Sequence, residues 1–448
     1  MIPLPPQVQS ALRRLEDAGY EAYLVGGCVR DALMGRTPGD FDVTTSALPE
    51  ETAAVFAGER VIETGLRHGT VTVLLDGQPL EITTFRIDGA YTDARHPDAV
   101  TFTRSLREDL ARRDFTMNAV AWSEGTGYVD PFGGAEDIRS HVIRCVGDPE
   151  TRFREDALRI LRCLRFSAVL GFLPEARTIA AARASREALR GISAERVAEE
   201  LKKLVCGPDV RRVVLTETDI LGAVVPELLP MRGFDQRNKH HIYDVLEHCA
   251  AACEAVPPEP LLRLAALLHD VGKPDCFFTD DEGVGHFYGH ARRGAELVDP
   301  LLRRLRFDTE SREEITELVL RHDMRIEPTE KNVLRVFRRF GPEFFFRLLH
   351  IKRADALAHA PGPNLDERLE RCEALEAIGR DLLAREACFS LRDLAVNGRD
   401  LLALGCAPGP ALGQALNRLL DAVTDGAVPN EKNALLAFLT SGLPEKTE

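Results

Sequence analysis

The spacing of apolar residues changes along the chain. Up to about Arg144, short runs that alternate apolar and polar residues, such as Val71–Leu75 and Glu81–Phe85, are interspersed with short helical patterns. Alternation with a period of two is typical of strands that bury one face. Beyond Arg144, Leu, Ala, Arg and Glu recur at helical spacing and strand patterns nearly vanish. The pattern predicts an α+β head followed by a long helical body.

Composition narrows the class of protein. A chain of 448 residues exceeds a single core, and its 44% hydrophobic and 29% charged residues are typical of globular proteins. No apolar run approaches the roughly 20 residues of a membrane helix, and the N-terminus has no signal-peptide pattern. The ten cysteines are scattered without Cys-x-x-Cys pairs, which favours reduced thiols. We expect a cytoplasmic protein without a membrane partner.

The charge limits the nucleic-acid partners. A net charge of −14 disfavours a protein that coats nucleic acid indiscriminately, and we expect no DNA partner. Arginines are nevertheless clustered, and one cluster, from Arg152 to Arg165, falls in a single helical region. RNA binding therefore stays open.

Two aspartates carry the first candidate chemistry. Asp40 and Asp42 are separated by one residue, so on a strand they would project from the same face. Paired carboxylates there can hold Mg²⁺ ions for phosphoryl transfer. Upstream, Gly26 and Gly27 would let the backbone approach a triphosphate closely, and Arg30 would bind phosphate. The alternative is a plain glycine turn and a solvated acidic turn, but the order of these features favours metal-dependent nucleotidyl transfer.

A later segment has the donors and acceptors to read a base. Asp156, Arg159 and Arg162 follow one another at three-residue steps, which predicts one side of a helix. A carboxylate at Asp156 can accept from an exocyclic amine while Arg159 donates to the adjacent ring nitrogen. Cytosine and adenine both offer that pair, whereas guanine and uracil offer the reverse. The alternative is an ordinary ion-paired helix face.

These features together resemble a known family. The stretch from Tyr23 to Thr45 is similar to the first motif of class II tRNA nucleotidyltransferases and bacterial poly(A) polymerases, and Arg112–Ala119 resembles their second motif. The resemblance implies that Arg113 contacts the incoming nucleotide, with Asp114 and Asn118 near the ribose. It also implies that Asp156 and Arg159 read the base and that Arg162 and Arg165 line the nucleotide site.

The resemblance also implies a fold and an activity. The fold is α+β, with a small antiparallel-sheet nucleotidyltransferase head followed by an elongated all-helical neck, body and tail. The predicted domains are the head at 1–143, the neck at 144–230, an HD-type domain at 231–360 and a tRNA-binding tail at 361–448. The implied reaction adds the 3′-terminal CCA to tRNA from CTP and ATP, with contacts to the acceptor arm and elbow.

A second constellation follows in the helical part. It resembles the metal site of HD-superfamily phosphohydrolases, and the positions that would ligate metal are His248, His269, Asp270, His290, His322 and Asp355. Such imidazole and carboxylate sites suit a transition metal such as Ni, Mn, Fe or Co. His286 is a spare candidate for the position given to His290. Taken singly, each histidine could be an ordinary core or surface residue.

Several alternatives stay open at this level. Glu81 is either a third carboxylate of the metal site or an edge-strand surface residue. The polar segment from Thr84 to Pro97 resembles a flexible loop that favours complete CCA addition over CC-only addition. A poly(A) polymerase, or an enzyme that adds only CC or only A, shares almost every motif. A rival from another class is an HD phosphohydrolase whose head binds RNA without catalysis.

Overall fold

The described chain forms two compact units. The structure, a computed structural model, describes residues 2–62, 65, 69–89, 100–237 and 242–441. The first unit comprises Met1–Leu229 with Arg304–Phe307, and the second comprises Pro230–Arg303 with Asp308–Glu448. The four-domain division predicted from the sequence is finer than this and stays a prediction.

The first unit contains a seven-stranded sheet. Its strands, with two further two-stranded pairs, are β1 (Ala22–Val25), β2 (Asp42–Thr45), β3 (Arg60–Ile62), β4 (Thr70–Leu75), β5 (Gln78–Thr84), β6 (Arg86–Asp88), β7 (Val100–Phe102), β8 (Ala121–Ser123), β9 (Gly127–Val129), β10 (Val142–Ile143) and β11 (Leu173–Pro174). The sheet order is β3-β4-β5-β2-β1-β8-β9, while β6 pairs with β7 and β10 with β11. Alternate residues of β4 are buried, as the period-two pattern predicts. The predicted loop runs from Thr84 to Pro97, and its residues 90–97 lie outside the described residues.

Helices surround this sheet and continue beyond it. They are α1 (Pro6–Asp17), α2 (Gly27–Leu33), α3 (Pro49–Val55), α4 (Leu106–Ala111), α5 (Gly134–Arg139), α6 (Pro149–Glu155), α7 (Leu158–Leu170), α8 (Ala176–Ala184), α9 (Ala194–Val205), α10 (Val210–Thr216) and α11 (Thr218–Leu221), with 3₁₀ turns at Thr116–Asn118, Arg186–Gly191 and Pro226–Met231. The core of the head joins α1 and α2 to the sheet through buried residues such as Leu15, Val29 and Val73.

One pairing corrects the predicted antiparallel sheet. Strands β2 and β5 run parallel, with Asp42 opposite Glu81 and Thr45 opposite Thr84. Parallel neighbours cannot be joined by a tight hairpin and need a crossover. Here residues 46–77, which include α3, β3 and β4, form that connection. The sheet is therefore mixed, and the crossover carries the Glu81 strand back beside the Asp42 strand.

The second unit is almost entirely helical. Its elements are α12 (Val245–Ala255), α13 (Pro260–Leu268), α14 (Lys273–Cys276), the hairpin strands β12 (Phe278–Thr279) and β13 (Gly285–His286), α15 (His290–Arg304), α16 (Thr309–Arg321), α17 (Glu330–Phe340), α18 (Pro342–Leu357), α19 (Pro363–Ala384), α20 (Gly398–Ala403), α21 (Pro410–Thr424) and α22 (Lys432–Thr440). Proline begins α13, α18, α19 and α21, where its missing N–H costs no helical hydrogen bond. Among the described residues, no helix combines the length and apolarity that a membrane crossing requires. The predicted α+β fold class is confirmed.

Candidate active site and metal centre

The predicted glycine turn brings the backbone against two candidate site residues. Strand β1 ends at Val25 and α2 begins at Gly27, and Gly26 between them has a φ of +80°. A Cβ at Gly26 would lie 3.4 Å from Nη1 of Arg113 and 3.6 Å from Oδ2 of Asp42. Only glycine adopts this left-handed conformation freely. The turn therefore leaves space beside the aspartate and the arginine in which a phosphate could lie.

The two aspartates are placed differently from the prediction. Asp42 is the first residue of β2, whereas Asp40 lies in the bend before the strand. The pairing of β1 with β2 ends at Val25 and Asp42, because the chain turns away at Gly26. Both aspartates are exposed, although partial desolvation raises the pKa of Asp42, with Arg113 lowering it and Asp40 raising it further. The carboxylates are close enough to interact, as a shared cation site requires.

Arg113 is held by a carboxylate that sequence reasoning missed. Asp109 in α4 is completely buried and lies 3.5 Å from Nη2 of Arg113. It also accepts hydrogen bonds from Arg112 at 2.8 Å and 3.0 Å. Nε of Arg113 is buried without a hydrogen-bond partner, and burial lowers the pKa of this guanidinium. A lone aspartate in a short helix gives no sequence signal, yet it aims the predicted nucleotide contact.

Four predicted nucleotide-site residues form one hydrogen-bonded network. Nη1 of Arg30 donates to Oδ1 of Asn118 at 3.0 Å, and Nδ2 of Asn118 donates to Oδ1 of Asp114 at 3.1 Å. Arg162 donates two bonds to Oδ2 of Asp114, at 2.8 Å and 2.6 Å. Burial would raise the pKa of Asp114, but Arg162 and these hydrogen bonds lower it to about 2. The network links α2, the 3₁₀ turn after α4, and α7.

The predicted base-reading residues are close in sequence but not on one helix. Helix α6 ends at Glu155, and Asp156 has extended dihedrals. Oδ1 of Asp156 accepts from the backbone N–H of Leu158 at 3.0 Å, so its side chain starts the next helix instead of continuing the previous one. This competition with the backbone is typical of aspartate. The single helical face expected through Asp156 and Arg159 is therefore wrong, although both residues border the same junction.

Both side chains already have protein partners. Oδ2 of Asp156 accepts from Nη2 of Arg196 at 2.7 Å. Arg159 is only 9% exposed, and its Nη1 donates to Oε2 of Glu155 at 2.5 Å while its Nη2 donates to the carbonyl of Arg112 at 3.1 Å. A base read by this pair would have to share or exchange these bonds.

Three of the predicted nucleotide-site arginines lie beside one aromatic ring. The guanidinium carbons of Arg30, Arg162 and Arg165 lie 5.2 Å, 5.5 Å and 4.0 Å from the ring centroid of Phe166. Nε of Arg165 is also 2.6 Å from Oε2 of Glu200. Cations are attracted to the face of an aromatic ring. Sequence reasoning missed Phe166, because an apolar residue at helical spacing is indistinguishable from an ordinary core residue.

The predicted metal-ligating residues of the second unit converge. The ligand atoms of His248, His269 and Asp270 lie within 4.8 Å of one another, and so do those of Asp270, His290 and His322. Nε2 of His248 is 3.1 Å from Oδ1 of Asp355. Asp270 is shared, with Oδ2 toward His248 and His269 and Oδ1 toward His290 and His322. The structure thus brings all six predicted residues together.

The imidazoles are oriented as metal ligands would be. Nδ1 of His269, His290 and His322 faces the carbonyl three residues earlier, at 2.8 Å, 2.8 Å and 2.7 Å, which directs each Nε2 into the cluster. Such second partners fix the tautomer of metal-bound histidine. Burial would lower the pKa of His269, but the carboxylate of Asp270 raises it well above its ordinary value. Imidazole and carboxylate donors of this kind fit a divalent transition metal.

Two further histidines, His359 and His286, are not among the six predicted ligands. His359 joins a third group with His248 and Asp355, and burial lowers its pKa to about 4. Its position four residues after Asp355 on a helical pattern could have identified it. His286, the spare candidate, instead pairs with Asp280 at 2.7 Å.

Comparisons with known proteins extend along the whole chain. Residues 22–144 match the family model described as the poly A polymerase head domain, residues 171–231 match the probable RNA and SrmB-binding site of polymerase A, and residues 293–439 match the putative tRNA nucleotidyltransferase domain 2. A CCA-adding enzyme from Anoxybacillus flavithermus is 35% identical over 433 residues, which cover 96% of this chain and 95% of that protein.

Solved structures agree with the sequence comparison. The CCA-adding enzyme of Bacillus stearothermophilus in complex with CTP is 32% identical, with a TM-score of 0.73 and 98% of each chain covered. The Thermotoga maritima CCA-adding enzyme complexed with tRNA-CCA has a TM-score of 0.57 over 98% of this chain and 96% of that one. At 20% identity the latter shows a shared fold only. The full-length relatives establish that the chain belongs to the CCA-adding enzyme family of nucleotidyltransferases.

Proposed function

We propose that this chain adds the 3′-terminal CCA to tRNA from CTP and ATP through the site in its head and neck. One observation carries the proposal: the glycine turn lies against both Asp42 and Arg113. A Cβ on Gly26 would contact the side chains of these two residues. Relatives along the full length are named CCA-adding enzymes. A cytoplasmic location and binding to the acceptor arm and elbow of tRNA follow from the proposal.

Different residues of the head would hold the metal and make room for the triphosphate. Asp40 and Asp42, with Glu81 opposite Asp42 on β5, would hold Mg²⁺, which when bound would neutralise phosphate charge and make the RNA 3′-hydroxyl a better nucleophile. Gly26 and Gly27 would leave room for the triphosphate. Attack on the α-phosphorus forms the new phosphodiester and releases pyrophosphate.

Arginines would hold the nucleotide. Arg113, aimed by Asp109 and with a buried N–H unpartnered, would donate to the triphosphate. Arg30 is held by the Asn118–Asp114 network, so it needs little further ordering when a phosphate binds. Preorganised donors of this kind stabilise developing charge without reorganisation.

Base choice would lie at the junction between α6 and α7. Without a nucleotide, Oδ2 of Asp156 accepts a hydrogen bond from Arg196 at 2.7 Å. We propose that the exocyclic amine of cytosine or adenine replaces Arg196 as the donor to this oxygen. Arg159 would then present N–H to the ring nitrogen. Guanine and uracil would place a carbonyl against the carboxylate, which leaves buried polar groups unpaired.

The sequence of the end product distinguishes CCA addition from poly(A) synthesis and from partial addition. A tRNA transcript lacking CCA is incubated with all four nucleotides and Mg²⁺, and the products are sequenced. A single extension by CCA is the expected result. A long A tract would identify a poly(A) polymerase, and a product ending in CC would identify a partial enzyme.

A second activity is supported by the cluster in the second unit. We propose that it is an HD-type, metal-dependent phosphohydrolase site, because four buried or part-buried imidazoles share Asp270. Two of them, His290 and His322, line a cavity of about 650 Å³ together with Lys352 and Arg368. Hydrolysis of a phosphate monoester by the chain loaded with Mn²⁺, Ni²⁺, Fe²⁺ or Co²⁺, and its loss in His322→Ala, would test this. Hydrolysis unchanged in the variant would contradict it.

A further inference from the structure

Asp109 of α4 is a completely buried carboxylate with contacts to two strands and to two arginines. Its Oδ1 accepts hydrogen bonds from Nε and Nη2 of Arg112, at 3.0 Å and 2.8 Å, and from the backbone N–H of Arg86 at 3.3 Å. Its Oδ2 accepts from the hydroxyl of Thr44 at 3.3 Å and lies 3.5 Å from Nη2 of Arg113. Burial of a carboxylate is costly unless opposite charges and hydrogen bonds compensate it. Both oxygens are compensated in this way, so the residue joins α4 to β2 and β6.

The contact with Thr44 places Arg113 against the proposed metal-binding strand. Thr44 and Asp42 are separated by one residue in β2, so their side chains project from the same face. Arg113 lies at this face as well, because a Cβ on Gly26 would be 3.4 Å from its Nη1 and 3.6 Å from Oδ2 of Asp42. Asp109 therefore fixes the proposed phosphate contact relative to the proposed metal ligand.

The C-terminal end of α4 supports the proposed base-reading residue. The last carbonyls of a helix have no partner within the helix. Nη1 of Arg152 donates to the carbonyl of Ala111 at 3.2 Å. Nη2 of Arg159 donates to the carbonyl of Arg112 at 3.1 Å, where a guanidinium also interacts favourably with the helix dipole. Since Asp109 accepts two hydrogen bonds from the Arg112 side chain, it also restrains the residue whose carbonyl holds Arg159.

The charge of Asp109 matters as well as its hydrogen bonds. Burial would raise its pKa, but Arg112 and Arg113 hold the pKa of this carboxyl below its ordinary value of 3.8. The group is therefore ionised at neutral pH. Burial lowers the pKa of Arg113, Asp109 raises it, and Arg112 lowers it, so the two guanidinium groups repel each other. Asparagine in place of Asp109 would keep the shape of the side chain but remove the charge that counters this repulsion.

We propose that Asp109 is a positioning residue that couples base selection to phosphate binding, because it holds Arg113 and Arg159 in one fixed arrangement. The inference rests on the CCA addition proposed above and names a determinant of its specificity that does not touch the nucleotide. A nucleotide held at its triphosphate by Arg113 presents its base to Arg159 only if α4 stays in place. Misplacement by about 1 Å can cost about 100-fold in rate, and rejection of guanine and uracil depends on the same alignment.

Asp109→Asn tests the proposal in the full-length protein with Mg²⁺. The ratio of kcat/KM for CTP over UTP is measured on a tRNA transcript that ends before CCA, and the ratio for ATP over GTP on one that ends in CC. Both ratios should fall by about tenfold or more, and KM for CTP and ATP should rise. Thr44→Val, which removes one hydrogen bond to Asp109 and keeps its ion pairs, should lower both ratios less. It carries the test if Asp109→Asn does not fold.

A matched control separates positioning from stability. Glu217 is a buried carboxylate of the same unit, and it accepts hydrogen bonds from Arg183 at 2.9 Å and 2.8 Å. Glu217→Gln should lower the free energy of unfolding, as Asp109→Asn does, and keep both nucleotide ratios. Unaltered ratios in folded Asp109→Asn, or in Thr44→Val where only that variant folds, would overturn the inference and leave the CCA-adding function standing. A wild type that does not prefer CTP over UTP would overturn both.

A double substitution tests the route through Arg159. Arg159→Ala removes the proposed donor to the base, so it should itself lower both ratios. If Asp109 acts on base selection by holding Arg159, Asp109→Asn should lower the ratios no further in the Arg159→Ala background. A full additional loss would show that the two residues act independently and would overturn the proposed coupling.

Discussion

Asp42 on β2 lies directly opposite Glu81 on β5 in the parallel pair at the centre of the sheet. Paired residues of neighbouring strands project from the same face, where their side chains interact. The pairing exists only because a crossover returns the chain beside β2. Glu81 is thereby a candidate third carboxylate, an assignment that the strand pattern alone left undecided.

Removal of the Asp42 carboxylate should stop transfer. Asp42→Ala is expected to lower the rate of nucleotide addition by about 1000-fold or more, because the metal loses a ligand on which several kcal/mol of charge stabilisation depend. Glu81→Gln should raise the Mg²⁺ concentration needed for half-maximal rate, and Asp17→Ala, on an exposed helix end, should change nothing. Single-turnover addition and a separate tRNA-binding assay check this. Transfer retained by Asp42→Ala would contradict the metal assignment.

The carboxylate of Asp156 should control base choice. Asp156→Ala removes the acceptor proposed for the base amine, so incorporation of UTP and GTP relative to CTP should rise by about 100-fold or more. Glu187→Ala, on an exposed surface of the same unit, is the matched control. The measurement is the ratio of kcat/KM for the four nucleotides on one tRNA. An unaltered ratio would count against base reading by Asp156.

The Asp114–Arg162 pair should stabilise the first unit. Asp114→Asn removes the buried carboxylate that accepts two hydrogen bonds from Arg162, and the free energy of unfolding should fall by about 3 kcal/mol. Glu136→Ala breaks an exposed pair with Arg139, and its effect should be close to zero. Denaturant unfolding monitored at the single tryptophan, Trp122, gives both values. Equal effects of the two substitutions would contradict the prediction.

The same pair predicts a pH dependence. The pKa of Asp114 is lowered from 3.8 to about 2, so its stabilising contribution is fully present above pH 3.8 and is lost as the pH falls toward 2. The difference in unfolding free energy between wild type and Asp114→Asn should therefore be constant from pH 5 to about pH 8 and shrink below about pH 4. A difference that already shrinks near pH 6 would show that another group titrates in the pair.

Metal should stabilise the second unit through the histidine cluster. A cation present at about 1000 times its Kd stabilises the native state by about 4 kcal/mol, so Mn²⁺ or Ni²⁺ should raise the Tm of this unit by several degrees. His269→Ala should remove most of the increase, whereas His350→Ala, outside the described metal-ligating groups, should retain it. Calorimetry with and without a chelator measures this. CCA addition with Mg²⁺ should be unaffected in His269→Ala.

The sequence predicted local features well where a short motif determines them. A close backbone approach at Gly26 and Gly27 was predicted because glycine has no Cβ, and the structure has a left-handed turn at Gly26 that brings the backbone beside Asp42 and Arg113. The six metal-ligating candidates were found because a His-Asp doublet stands among histidines in helical contexts, and they converge. The α+β class followed from the change of hydrophobic period near Arg144. Membership of the family, predicted from the motifs, is confirmed by relatives along the whole chain.

Features that depend on distant contacts could not be predicted. The parallel pairing of Asp42 with Glu81 depends on a crossover of some thirty residues, and a strand pattern carries no direction. The helix break at Asp156 depends on a competition between its side chain and the backbone, which three-residue spacing does not reveal. Asp109, which holds Arg113, gave no signal, because its role depends on complete burial.

Stepwise addition to three tRNA transcripts distinguishes ordered CCA addition from poly(A) synthesis and from partial addition. The transcripts end before CCA, after the first C and after CC, and each is offered one labelled nucleotide at a time and then CTP with ATP. We expect C, C and A to be added in turn, with no use of GTP or UTP and no extension beyond A. Extension by A on the first transcript, or continued A addition to the last, would contradict selection of C and then A by this one site.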